Sequence, residues 1–135
     1  MALIKWDKTL SVNVQEIDSQ HQRLIELINQ LHSLMMAGQG KDAVGLVLED
    51  LVDYTKTHFS FEEKLFAKFN YEHTKEHILE HKKLAEKVIA FQNDFKAGKA
   101  TVTLDVMNFL KDWLTNHIKG TDKKYSKCFN DNGMN

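Results

Sequence analysis

The chain has 135 residues, which is enough for one domain around a single buried core and too few for a comfortable second one. Its 18 lysines and arginines nearly balance 19 aspartates and glutamates, and no basic stripe is interleaved with aromatic residues, so we expect no nucleic-acid partner. No apolar run approaches membrane-spanning length and the opening residues lack the apolar core of a signal peptide, which predicts a cytoplasmic protein without membrane insertion.

Apolar periodicity divides the chain into an N-terminal arm and four helices, and the absence of proline favours helices throughout. We predict the arm at residues 1–17 and the helices at about residues 18–37, 42–69, 72–96 and 103–119. Good N-capping residues lie where these helices begin: Asp18 or Ser19, Asp42, and Thr101 or Thr103.

The connections between the four predicted helices are short, so each helix has to run back along the one before it. The sequence therefore predicts an all-α, up-down-up-down antiparallel four-helix bundle formed as a single domain over residues 1–135, which we expect to be a monomer. Gly120 interrupts the fourth helix before a short C-terminal helical segment that contains Tyr125. The lone cysteine, Cys128, excludes an internal disulfide bond, and we expect it to be a free thiol of open function.

Histidines and a glutamate recur at helical spacing on the apolar faces. His58 and Glu62 are four residues apart on the second helix, and His77 and His81 are four apart on the third, so each pair projects from one helical face. A single histidine on an apolar face is more often a hydrogen-bonded core residue than a metal ligand. Two pairs that both point towards the core are typical of a metal site.

Two further histidines lie at the same depth of the predicted bundle. His21 begins the first helix and His117 lies late in the fourth, so antiparallel packing brings both to the end that carries the two pairs. Neutral imidazoles and an ionised carboxylate are costly to bury without partners, and a metal centre removes that cost. These ligands outnumber the four that a tetrahedral zinc ion takes, which favours two metal ions bridged by carboxylate.

Taken together, these residues resemble the hemerythrin family, and in particular its single-domain bacterial members, the bacteriohemerythrins. The resemblance covers nearly the whole chain. It rests on an ordered set of segments: the Trp6 arm, Asp18-Ser19-Gln20-His21, His58-Phe59-Ser60-Phe61-Glu62-Glu63, His77-Ile78-Leu79-Glu80-His81, and Trp113-Leu114-Thr115-Asn116-His117-Ile118 followed by Asp122.

The resemblance implies a non-haem di-iron centre that binds dioxygen. One iron would take three histidines, the other would take two, and two carboxylates would bridge them: His77, His81 and His117; His21 and His58; Glu62 and Asp122. The second iron is then one ligand short, and the resemblance implies that dioxygen binds at this open position.

Asp122 is the ligand that the spacing supports least. On a regular helix, five residues after His117 amount to a rotation of about 140° away from the face that carries this histidine. Gly120 lies between them and allows a local break or bulge in the helix. The alternative is that Asp122 is an exposed aspartate of the tail.

Two other histidines are less suitable as ligands. His73 precedes His77 by the same four residues that separate His77 from His81, but the family pattern places a leucine three residues after the second histidine, which matches Leu84 after His81. His73 is then a surface residue. His32 lies about 16 Å further along the first helix than His21, too far to reach the same centre.

Three apolar residues adjoin the predicted ligands, and the resemblance implies that they line an oxygen pocket. Leu114 precedes His117 by one helical turn and is expected to lie over the open iron position. Phe59 and Ile118 each follow a predicted ligand and would complete the apolar wall. Ordinary core packing is the alternative role for all three residues.

The function that the resemblance implies is reversible dioxygen binding without catalysis, for oxygen carriage, storage or delivery to an oxygen-consuming enzyme. A sensor of oxygen, nitric oxide or iron is an open alternative, because partner surfaces on bundles leave little trace in a sequence. A di-iron oxidase is disfavoured, because such enzymes use Glu-x-x-His pairs and none lies at the right level here. Glu80 is next to His81 and points away from it.

Overall fold

The computed structural model describes residues 2–135, and it contains helices and turns without strands over that range. Four long helices form the body of the molecule: α1 Gln15–Met36, α2 Lys41–Phe69, α3 Thr74–Lys96 and α4 Leu104–Asn116. After α4 the chain continues through a π-helical turn, His117–Thr121, a 3-10 turn, Asp122–Tyr125, and a short helix, α5 Ser126–Asp131. Among the described residues, no helix is both long enough and apolar enough to cross a lipid bilayer.

The connections between the long helices make them antiparallel. Only a few residues separate α1 from α2 and α2 from α3. Helix α2 packs against α1, α3 packs against α2, and α4 returns to pack against α1. Their apolar faces enclose one continuous core that also takes in the N-terminal arm and the C-terminal segment. The predicted all-α four-helix bundle is confirmed.

The first helix begins earlier than its capping residues predict. Its N-cap is Val14, so Asp18 lies inside the first turns of α1 rather than at its start. The Asp18 carboxylate instead accepts hydrogen bonds from Ser11 Oγ and the Val12 N–H, at 2.5 and 2.8 Å. The prediction that Asp18 or Ser19 caps α1 is therefore wrong, because the arm needs this carboxylate as an acceptor for its own polar groups.

Among the starts of α2, α3 and α4, only that of α4 has a side-chain cap. Gly40, rather than Asp42, is the N-cap of α2. Asp42 lies in the first turn, where its negative charge interacts favourably with the helix dipole. Helix α3 begins at Thr74, two residues later than predicted. Thr103 does cap α4, since its hydroxyl accepts a hydrogen bond from the Val106 N–H.

The C-terminal segment folds back against the N-terminal arm. Ser126 Oγ donates a hydrogen bond to the Val12 carbonyl at 2.6 Å, and Asn130 Nδ2 donates to the Asn13 carbonyl at 3.0 Å. Tyr125 and Phe129 are completely buried beneath this contact. The C-terminal segment and the last residues of the arm therefore close the same end of the bundle.

Candidate metal centre

All seven predicted metal ligands lie at the end of the bundle that the C-terminal segment closes. Helix α1 contributes one residue, α2 and α3 two each, and the π-helical turn with the residue after it contributes two: His21, His58, Glu62, His77, His81, His117 and Asp122. Each of these residues is at most 3% exposed, although every side chain in the group is polar. These side chains are therefore shielded from solvent, and their polar atoms lie close to one another.

Their ligand atoms form two overlapping groups. One group consists of His77, His81 and His117 with two carboxylates, and the other consists of His21 and His58 with the same two carboxylates, Glu62 and Asp122. Within each group, the nitrogen and oxygen atoms lie within 4.8 Å of one another. Two metal ions that share both carboxylates fit this arrangement.

The two oxygens of Asp122 face different groups of histidines. Oδ1 is 2.9 Å from His77 Nε2 and 3.0 Å from His117 Nε2, whereas Oδ2 is 3.1 Å from His21 Nε2. A carboxylate with one oxygen directed to each side has the geometry of a bridge between two ions. Asp122 is fully buried, so the alternative of an exposed tail aspartate is wrong.

The π-helical turn explains why Asp122 faces the cluster. The Asp122 N–H is shared between the His117 carbonyl, five residues earlier, and the Ile118 carbonyl, four residues earlier, whereas a regular α-helix uses only the bond between residues four apart. The wider turn brings two residues at this spacing onto one face. The space around Gly120 is open, with no heavy atom within 4 Å of an added Cβ. A larger residue would therefore meet no steric obstacle at this position.

Glu62 lies between the same two groups of histidines. Its Oε1 is 3.1 Å from His81 Nε2 and 3.5 Å from His58 Nε2. Its Oε2 is 3.9 Å from His21 Nε2 and accepts a hydrogen bond from the Tyr125 hydroxyl at 2.5 Å. Sequence reasoning placed Tyr125 only in the tail, and its contact with a residue 63 positions away leaves no local signal in the sequence.

Unsatisfied polar atoms provide a test of whether these residues suit a metal ion. Within residues 2–135, every buried side-chain nitrogen or oxygen that lacks a hydrogen-bond partner belongs to this cluster. The atoms are both ring nitrogens of His21 and His77, Nε2 of His81 and His117, Oε1 of Glu62, and both carboxylate oxygens of Asp122. Burying such groups without partners is costly, and a cation bound among them supplies the missing interaction. The donor set therefore fits metal ions.

Hydrogen bonds on the outer side of three imidazoles orient the ligand atoms inwards. His58 Nδ1 lies 2.7 Å from Gln20 Oε1, and His81 Nδ1 lies 2.8 Å from Glu63 Oε2. A ring whose Nδ1 is bonded outwards presents Nε2 to the centre, which is the usual arrangement around protein-bound metals.

The third outer hydrogen bond involves Glu80. His117 Nδ1 is 2.6 Å from Glu80 Oε1, and the Thr121 hydroxyl donates to the same carboxylate at 3.0 Å. Glu80 does point away from His81, as predicted, but it points at a histidine on another element. Sequence reasoning missed its role because the contact crosses from α3 to the π-helical turn.

Burial and charge give the histidines different proton affinities. Burial lowers the pKa of His58 and of His81 to about 4, so both rings are neutral near pH 7. Burial also disfavours the charged form of His117, but the carboxylates of Asp122 and Glu80 outweigh it and raise the pKa of His117 to about 10. In the metal-free protein, these carboxylates therefore favour the protonated form of His117.

The three residues predicted to line an oxygen pocket are buried at the same end. The Phe59 ring stacks on the His81 ring, with centroids 3.8 Å apart and planes 5° from parallel. Leu114 and Ile118 are almost completely buried in the core, one on each side of His117 in the chain. The Phe59 ring therefore covers one face of a candidate ligand with apolar surface.

The two histidines that the sequence argument set aside lie outside the cluster. His73 is exposed at the start of α3, where its ring faces the carboxylates of Glu72 and Glu76 at 3.5 and 3.4 Å. His32 is half-buried on α1 and belongs to neither group of ligand atoms.

Comparison with known proteins agrees with the fold and the donor set. The family model described as the hemerythrin HHE cation binding domain matches residues 12–128. A bacteriohemerythrin from Pseudomonas aeruginosa is 39% identical over 127 residues, covering 93% of this chain and 80% of that protein. A bacteriohemerythrin from Methylococcus capsulatus is 36% identical over 129 residues, covering 95% of this chain and 98% of that protein.

A solved structure extends the similarity to three dimensions. A crystal structure of wild-type hemerythrin superposes with a TM-score of 0.88 at 36% sequence identity, and the match covers 94% of this chain and 98% of that one. The chain belongs to the hemerythrin family.

Proposed function

We propose that this protein binds dioxygen reversibly at a non-haem di-iron centre and does so without catalysing a reaction. The observation that carries the proposal is the pair of overlapping, fully buried ligand groups that share Glu62 and Asp122. Carriage, storage and delivery of oxygen to an oxygen-consuming enzyme all use this one site. We expect the protein to act in the cytoplasm.

We assign the ligands as the two groups suggest. One iron takes His77, His81 and His117, the other takes His21 and His58, and both share the two carboxylates. The directions of the Asp122 oxygens support this division, because one faces His77 and His117 while the other faces His21. An iron held by the group with fewer imidazoles would keep one coordination position free for an exogenous ligand.

The donor set supports iron and a binding role. Imidazole with carboxylate suits iron, and seven ligands exceed what one tetrahedral zinc ion takes. Five neutral imidazoles favour the ferrous state, whereas di-iron enzymes of helical bundles are richer in carboxylates. When bound, the two irons supply the electrons that dioxygen takes up on binding and returns on release.

The chain itself provides an enclosure that keeps water away from the ligand position. Phe59 covers the His81 ring, and we propose that Leu114 and Ile118 complete an apolar wall beside the two-histidine side of the centre. Such a pocket slows irreversible oxidation and favours release of dioxygen unchanged.

Visible spectra over repeated oxygenation cycles test this proposal. The protein is reconstituted with ferrous iron under argon, exposed to air and purged again. We expect a visible absorption band that arises with dioxygen and disappears on purging over several cycles. Consumption of dioxygen with turnover of an added reductant would indicate an oxidase instead, and no spectral response to dioxygen would contradict the proposal.

A further inference from the structure

The outer hydrogen bonds make the two sides of the candidate metal centre unequal. We call His77, His81 and His117 the three-histidine half, and His21 and His58 the two-histidine half; Glu62 and Asp122 are common to both. The two halves differ in the number of imidazoles. They differ also in the charge of the groups that contact those imidazoles from outside.

Carboxylates support two of the three imidazoles in the three-histidine half, whereas His77 Nδ1 is buried without a hydrogen-bond partner. His81 Nδ1 lies 2.8 Å from Glu63 Oε2, and His117 Nδ1 lies 2.6 Å from Glu80 Oε1. Because an ionised carboxylate only accepts hydrogen bonds, both imidazoles must donate from Nδ1. Thr121 holds the Glu80 carboxylate in place by donating to both of its oxygens at 3.0 Å.

Neither imidazole of the two-histidine half has an outer carboxylate, and His21 resembles His77 in that its Nδ1 has no partner. His58 Nδ1 faces the neutral side-chain amide of Gln20 at 2.7 Å. His21 Nδ1 is buried and has no hydrogen-bond partner. Neither imidazole in this half is therefore bonded to a carboxylate on its outer side.

This difference affects metal affinity directly. A carboxylate bonded to the outer N–H of an imidazole makes the ring a stronger donor and fixes its orientation, and loss of such a partner costs about 10–100-fold in metal affinity. Hydrogen bonds to an ionised acceptor are also roughly twice as strong as those to a neutral one. Two negative charges beside the three-histidine half further favour a divalent cation there.

We propose that the three-histidine half binds the first divalent ion, and that Glu63 and Glu80 are positioning residues that give it the higher affinity. The proposal rests on the ligand assignment of the proposed function. The two-histidine half then fills second and loses its ion first. Partly loaded protein holds its single ion between His77, His81 and His117.

Anaerobic titration of the metal-free protein with Co²⁺ tests this order, with heat of binding and visible cobalt absorption as readouts. We expect two resolved steps in the unaltered protein. His21→Ala is expected to keep the first step and lose the second, whereas His117→Ala removes the tight first step.

Variants of the outer residues separate their role from general charge. Glu80→Gln and Glu63→Gln are each expected to weaken the first step by about 10–100-fold and to leave the second nearly unchanged. Gln20→Glu is expected to strengthen the second step and bring the two together. Glu76→Gln is the matched control, because it removes the same charge from an exposed position of α3 that contacts only the non-ligand His73.

The outcomes distinguish this inference from the proposed function. Two ions that bind with one indistinguishable affinity, or a Glu80→Gln effect confined to the second step, overturn the inference alone. An equal effect of Glu76→Gln also overturns it, because general charge would then explain the affinity. If the glutamate variants do not fold, Gln20→Glu tests the same order from the other half, and an unchanged second step there overturns it. A protein that binds at most one ion contradicts the proposed function and this inference together.

Discussion

Asp122 reaches His117 across five residues because the backbone between them makes one π-helical turn. The Asp122 N–H donates to the His117 carbonyl, and Asp122 Oδ1 lies 3.0 Å from His117 Nε2. The turn converts a spacing that would separate two side chains on an α-helix into one that brings them together. One local change of backbone geometry thus adds a carboxylate to the cluster.

Replacing Asp122 tests the electrostatic part of this relationship. Asp122→Asn keeps the size of the side chain and removes the nearby negative charge that favours the imidazolium of His117. We expect the pKa of His117 in the metal-free protein to fall from about 10, because burial then acts against a weaker attraction. NMR titration of the imidazole signals measures the change. An unchanged pKa would mean that Glu80 and Glu62 hold the proton without Asp122.

The assignment of ligands on α3 predicts different results at His77 and His73. His77→Ala removes a buried ring that faces Asp122, so we expect loss of iron and of the dioxygen-dependent absorption. His73→Ala removes an exposed ring on the same helix and is expected to preserve both. Iron analysis and visible spectra of the two variants provide the comparison. The reverse pattern would show that α3 is misplaced by about one turn.

Much of this centre was accessible from the sequence because helical periodicity fixes which residues share a face. The pairs His58 with Glu62 and His77 with His81 need only a four-residue spacing and an apolar stripe. The antiparallel order of four helices then brings His21 to the same end. Each of these steps depends on local pattern and short connections, both of which are visible in one chain.

Other features depend on contacts between distant parts of the chain. Gln20, Glu63 and Glu80 each contact a histidine on a different element, and Tyr125 contacts Glu62 across the bundle. A sequence pattern does not register such pairs. The start of α1 was misplaced for the same reason, since the arm uses the Asp18 carboxylate in place of a helix cap.

Metal removal is expected to leave a less stable protein whose stability depends on pH. Chelation leaves buried ligand atoms without a partner, so we expect a lower melting temperature. The lowered pKa values of His58 and His81 mean that the unfolded chain binds more protons between pH 6.5 and about 4, so stability falls as the pH is lowered through this range.

The opposite sign applies to His117. Its folded pKa of about 10 lies above the ordinary value of 6.5, so its contribution is fully present below pH 6.5 and is lost as the pH rises towards 10. Considering these three histidines, the metal-free protein should be most stable near pH 6.5. Thermal unfolding from pH 4 to 10, with and without iron, measures this dependence. A metal-free protein as stable as the loaded one would show that the cluster has other partners.

Leu114 is predicted to limit oxidation of the loaded centre. Leu114→Ala would open the apolar wall proposed for the dioxygen position, so we expect faster autoxidation and faster entry of azide, in addition to a packing cost of about 2–5 kcal/mol. Leu110→Ala is the matched control, because it truncates another buried leucine one turn earlier on α4. Decay of the oxygenated spectrum is followed where all three proteins remain folded. Equal decay rates at equal iron content would assign Leu114 to core packing alone.

The central claim, that two irons share one buried cluster and together bind dioxygen, is tested most directly by stoichiometry. Protein reconstituted anaerobically with ferrous iron is freed of excess metal, and its iron content and dioxygen uptake are measured on the same sample. The account predicts about two irons per chain and about one dioxygen taken up for each pair, with the gas recovered on purging. One metal ion per chain, or two irons without recoverable dioxygen, would contradict it.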